Sequence, residues 1–260
     1  MSNRSDLICE EELLDAFGPA QDRSGSGARN ICVLGSSHAG SLRKGWDRLR
    51  GEFPAIELTF FASRAKGLDG LSLENGALTP GPPRLRSDIS FTSGGRNTVA
   101  VGDYDLFLIY GLLMIPPLNR FFGAEIVSRT CQHAFESSIA FKLASLIRSV
   151  SSAPIYIGHQ PQFAPGDKVV NRSRHLDYEE SLAMMRKVLP LPGIVLLEQP
   201  AATFANTWNT KNEFLSGAVT LDVGDEHSNK ARPADDRVHM NAAFGEIYLR
   251  AFFGGLPSDA

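Results

Sequence analysis

Five short apolar runs constrain this chain more than any other feature: Ile31 to Leu34, Ile56 to Ala62, Asp105 to Tyr110, Ala153 to Gly158 and Gly193 to Glu198. Rich in Ile, Val, Leu and Phe, they suit strands buried on both faces of a parallel sheet. Leu42, Trp46, Leu49 and Phe53 then recur at spacings of three and four, the mark of a helix with one buried face. Further helices are expected over Glu125 to Val150, over residues 177–189, and over Ala242 to Phe253. Strands and helices in this alternation predict an α/β fold, a parallel sheet with helices on both faces. Ligands of such sheets bind outside the carboxyl ends of the strands.

The first strand end carries the most information. Asn30 to Gly40 reads as a strand, a bend at Gly35, two serines and the start of a helix, with Ser36 or Ser37 as the expected N-cap. Three readings compete there. The serines simply cap a helix, or the stretch cradles phosphate, or one serine is a nucleophile served by a base elsewhere in the chain. Gly35 and Gly40 have the glycine spacing of a phosphate-binding loop, but Ser41 stands where that loop needs lysine.

Composition narrows the classes. The 26 basic and 29 acidic residues give a net charge of −3 and offer no basic footprint for nucleic acid. Cys9, Cys32 and Cys131 are too far apart for a metal or redox pair, and Cys32 belongs to the core of the first strand. No apolar segment approaches the roughly 20 residues of a membrane span, nor does an apolar stretch follow the N-terminus as in a signal peptide. The expectation is a cytoplasmic protein without metal, cofactor, nucleic-acid or membrane partners; oligomeric state stays open.

Residues 1–29 read as a flexible extension, with a short helix Glu10 to Phe17 and a glycine-serine linker over 21–27, and residues 30–260 as the folded domain. An insertion covers about 71–104. There, Ile89 to Thr92 and Asn97 to Val101 flank Ser93-Gly94-Gly95-Arg96, which predicts a β-hairpin, while Pro80, Pro82 and Pro83 argue against helix. Near the C-terminus, Asp236 and His239 stand three residues apart just before the last helix. That spacing lets the carboxylate hold one imidazole nitrogen and leaves the other facing outwards.

Gly35-Ser36-Ser37 after the first strand, with Asp236-x-x-His239-x-Asn241 before the last helix, resembles the SGNH (GDSL-like) hydrolase superfamily. The resemblance implies a three-layer α/β/α sandwich with a five-stranded parallel, flavodoxin-like sheet. It further implies Ser37 as nucleophile, His239 as base and Asp236 as orienting carboxylate, with the N–H groups of Ser37 and Gly70 in the oxyanion hole and Gly67 as the fallback glycine. His38-Ala39 is similar to a variant of the motif in domains that handle acyl groups on sugars. His38, Gly111, His159 and Gln160 are the expected substrate-binding residues. Ser36 replaces the family's aspartate, a change expected to alter support of the loop. Leu113 falls where the oxyanion asparagine belongs, and Asn119, His159 or Gln160 are the candidates to replace it. His175 and His227 read as loop histidines, and Arg172, Arg174, Arg232 and Arg237 as solvated loop charge or an anion-binding rim.

The resemblance implies a serine esterase acting on a small acyl ester or an acylated carbohydrate. The alternatives are a noncatalytic glycan- or anion-binding domain of the same fold, an acyltransferase, or a phosphate-binding domain.

Overall fold

The computed structural model describes residues 29–165 and 174–257. The expected helix Glu10 to Phe17, the linker 21–27, Cys9 and Arg172 lie outside them. The chain begins with β1 (Arg29–Gly35), α1 (Ala39–Leu49) and β2 (Ile56–Ala62). An excursion follows, made of β3 (Leu71–Glu74), β4 (Ala77–Pro80), α2 (Pro83–Thr92) and β5 (Val99–Ala100). The main layers resume with β6 (Leu106–Tyr110), α3 (Ala124–Glu136), α4 (Ile139–Arg148), β7 (Ile155–Gly158), α5 (Tyr178–Lys187) and β8 (Ile194–Leu197). A long irregular stretch then leads to α6 (Ala242–Gly254).

The sheet order is β2-β1-β6-β7-β8, with every pairing parallel. Numbered among the main strands alone, this is the flavodoxin-like order 2-1-3-4-5, whose topological switch lies between β1 and β6. Alternating side chains divide the core between the two faces. Ile31 and Val33, with Leu106, Leu108 and Tyr110, face α1 and α6. Cys32 and Leu34, with Phe107 and Ile109, face α3, α4 and α5. This is the expected sandwich. Ile31 and Phe107 are fully buried, and burying such a side chain stabilises by about 1.5–3 kcal/mol.

Three local expectations change. The hairpin lies earlier than expected, in β3 and β4, where Asn75 and Gly76 both take positive φ, 51° and 78°, as a two-residue hairpin turn requires. Ile89 to Thr92 instead belongs to α2, because Pro83 at its first turn is compatible with a helix start and Leu85 and Ile89 bury one face. The helix expected over Glu125 to Val150 is two helices. Ser138 stops propagation by capping α4, its Oγ accepting from the Phe141 N–H at 3.1 Å. No helix among the described residues is long and apolar enough to cross a membrane.

Candidate active site

The helix pair α1 and α6 sets the site. Gly45 and Gly245 lie at their contact, where a Cβ on Gly45 would stand 2.6 Å from the backbone of Gly245 and Glu246, and one on Gly245 would overlap the Ser41 carbonyl. Bare glycines allow the backbones to touch. The loop entering α1 therefore lies beside the loop entering α6, although 202 residues separate Ser37 from His239.

Ser37 Oγ stands 3.0 Å from His239 Nε2. His239 Nδ1 stands 2.8 Å from Asp236 Oδ2, while Asp236 Oδ1 accepts from the N–H groups of Val238 at 2.9 Å and His239 at 3.0 Å. Because an ionised carboxylate only accepts, the proton sits on Nδ1 and the Nε2 lone pair faces the serine hydroxyl. Asn241 caps α6, its Oδ1 accepting from Phe244, and its Nδ2 ties the loop to Glu213 and Ser216. It braces the histidine from the helix side.

Neither serine caps α1 as expected. The Ser36 hydroxyl donates to the Gly111 carbonyl at 2.8 Å and stitches the β1 loop to the β6 loop. The Ser37 N–H has no hydrogen-bond partner among the described residues.

The electrostatics favour a neutral His239 imidazole. Burial lowers the His239 pKa from the ordinary 6.5, the Arg232 cation lowers it further, and Asp236 opposes both. Burial acts to raise Asp236, but the two backbone N–H groups and the His239 ring hold it below the usual aspartate value. Arg232 stands 3.8 Å from Asp236 and is largely shielded from solvent. It is thus turned inward as a partner of the carboxylate. Arg174 is exposed and Arg237 accepts the Ala164 N–H through its carbonyl. Arg64, which the sequence left unmarked, ties the loop after β2 to Leu221 and Asp225.

The other sequence candidates separate clearly. His38 does not line an open mouth; it is buried and stacks on His239, ring centroids 4.8 Å apart and planes 16° from parallel. Gly111 adjoins His38 and Ser36, and its own N–H donates to Gly158. With its carbonyl also occupied, it shapes the site and offers no free donor. His159 lies in the core, with Nδ1 donating to the Gln160 carbonyl and Nε2 accepting from Tyr178. Asn119 is spent on a local turn, its Oδ1 accepting from Phe121. His175 sits in a bridge with Asn119 and His227 is exposed beside Glu226.

Gly70 packs at the base of the small sheet against Pro82 and Leu85, and its carbonyl accepts from Gly81. Gly67 adjoins Ser63. Leu113 points into the core at 1% exposure. Gln160 remains partly exposed, lining with Met114, Ile115, Phe163 and Trp208 an apolar depression of about 160 Å³ beside the Gly111 loop. Larger cavities, of about 260 Å³ at Arg43 and Phe60 and about 690 Å³ at Tyr178 and Gln199, do not include Ser37 or His239. Proximity to the polar chain, not cavity size, marks the candidate site.

No protein-family model and no curated protein matches this sequence. Among solved structures, the chain is similar to the periplasmic domain of a lipopolysaccharide acetyltransferase of Salmonella ser. Paratyphi A, with 11% identity over 88% of this chain and 84% of that one, at a TM-score of 0.45. A second likeness is to the cypemycin decarboxylase CypD, with 13% identity over 67% of this chain and 84% of that one, at a TM-score of 0.27. Neither likeness bears on the chemistry of Ser37.

Proposed function

We propose that the protein is a serine acyl hydrolase that cleaves a small acyl ester. The observation that carries this reading is the hydrogen-bonded chain from Ser37 Oγ through His239 to Asp236. His239 Nε2 takes the hydroxyl proton as Ser37 attacks the ester carbonyl, and the imidazolium then protonates the leaving alcohol. Asp236 holds the Nδ1–H tautomer throughout. Water, deprotonated by the same nitrogen, releases the acyl group. The free Ser37 N–H, at the positive end of α1, is a donor for the developing oxyanion. The resemblance to SGNH hydrolases supports the order of these residues along the chain and suggests an acylated carbohydrate as substrate.

A second reading, a noncatalytic binding domain of the same fold, draws support from Leu113, since its core position leaves the asparagine's role unfilled. Removing one oxyanion donor costs on the order of 10²- to 10³-fold in rate, so activity on simple esters is expected to be slow. Labelling with a fluorophosphonate probe separates the two readings. Reaction with the native protein and none with Ser37→Ala or His239→Ala supports the hydrolase; a folded native protein that does not label refutes it.

A further inference from the structure

We infer that His38 is a positioning residue for His239, fixing the plane of the base by ring stacking. This rests on the reading of His239 as the base. The hydrogen bonds to Asp236 and Ser37 hold the edge atoms Nδ1 and Nε2 of the His239 ring, but neither opposes small tilts of its plane. A flat neighbour removes that freedom. The two imidazoles lie 4.8 Å apart at 16°, so His38 restricts the tilt that would move Nε2 away from Ser37 Oγ.

The surroundings favour this role over contact with substrate. His38 is only 7% exposed, and its Nδ1 is buried with no hydrogen-bond partner among the described residues. That nitrogen therefore does not anchor the ring through a hydrogen bond. Space for the imidazole comes from Gly111: at φ +72°, a Cβ there would stand 2.8 Å from His38 Cβ and 3.2 Å from its Cδ2. Burial first, then His239 and Arg232, push the His38 pKa down to about 3 against the opposing pull of Asp236. His38 therefore stays neutral wherever His239 can act as a base, and adds no charge repulsion when His239 becomes imidazolium.

The test compares His38→Ala and His38→Phe in the full chain, with kcat and KM measured on p-nitrophenyl acetate. It adds nitrogen NMR of the His239 ring in a Ser37→Ala background. Loss of the stack is expected to lower kcat about 10²-fold, the scale of a small misplacement, with KM changed less than about threefold. Phenylalanine, flat but without nitrogens, is expected to recover most of that loss. The NMR arm should show sharp His239 ring nitrogen signals in the native ring pair and in His38→Phe, and exchange-broadened ones in His38→Ala, with the Nδ1–H tautomer kept by Asp236 in all three.

Unchanged kcat and an unchanged His239 spectrum in His38→Ala would overturn the inference. So would a His38→Phe protein as impaired as His38→Ala, since the nitrogen would then be what matters. If the native protein hydrolyses no ester and takes no fluorophosphonate, the hydrolase reading fails while the NMR arm still decides the stack. Should the alanine protein not fold, His38→Phe against native decides alone.

Discussion

Gly45 of α1 and Gly245 of α6 meet backbone to backbone, and that contact holds the Ser37 loop against the His239 loop. Gly245→Ala would force a methyl into the Ser41 carbonyl, which belongs to backbone and cannot swing aside. Overpacking of this kind costs about 1–3 kcal/mol, sometimes more. A lower urea midpoint with little change in slope is the expected outcome, together with less fluorophosphonate labelling per folded molecule. Gly51→Ala, where a Cβ meets nothing within 4 Å, is the control and should change neither.

Asp236→Asn keeps the shape of the loop but reverses the tautomer it favours, because an amide donor can face His239 Nδ1. The Nε2 lone pair then no longer faces Ser37. A fall in kcat on the order of 10⁴-fold is expected from the behaviour of such triads, with native circular dichroism retained.

The acid limb of activity should report His239. Protonated, it cannot accept the serine proton, so kcat/KM is expected to rise with pH through a midpoint below 6.5. Removing the nearby cation favours the imidazolium. Arg232→Gln should therefore move the midpoint to higher pH, and added salt should move the native midpoint the same way, more weakly.

Stability should also depend on pH through buried histidines. Burial lowers His38 to about 3 and His159 to about 4, whereas the unfolded chain protonates both near 6.5. The unfolded state thus binds more protons as the pH falls below 6.5. Stability is full above that pH and is lost on acidification towards pH 4, by at most about 1.4 kcal/mol per pH unit for each histidine. His159→Gln should flatten the slope of chemical-unfolding free energy against pH by about one proton, whatever it does to the absolute stability.

Leu113→Asn places the asparagine that the resemblance to SGNH hydrolases implies at its expected sequence position, but the side chain there lies in the core. An amide buried without partners costs about 1–3 kcal/mol. The variant should lose stability in a urea titration and gain no esterase activity. A gain in kcat with no loss of stability would mean that Leu113 faces the site.

Much of the fold was legible because its signals are local. Apolar runs such as Ile31 to Leu34 alternate between two buried faces, and Asp236 reaches His239 within one turn of backbone. Gly94-Gly95 resembles a hairpin turn in the letters, but the hairpin forms at Asn75-Gly76, between Leu73 and Leu78, where both central residues take positive φ. The break at Ser137-Ser138 was also present in the letters, but serine acts as a cap only where tertiary packing makes a second helix start worthwhile.

The sequence by itself determined the layers, the strand ends and the residue types at the candidate site. The resemblance already implied that Ser37, His239 and Asp236 meet; tertiary structure alone decided which of the remaining candidates join them. His38, Leu113 and His159 each follow a β-strand end and read alike as loop positions, yet one stacks on His239 and the other two turn into the core. The direction of a side chain beyond a strand depends on the backbone turn and on the space its neighbours leave, as Gly111 leaves it for His38. Those constraints come from residues distant in the chain, so no local pattern contains them.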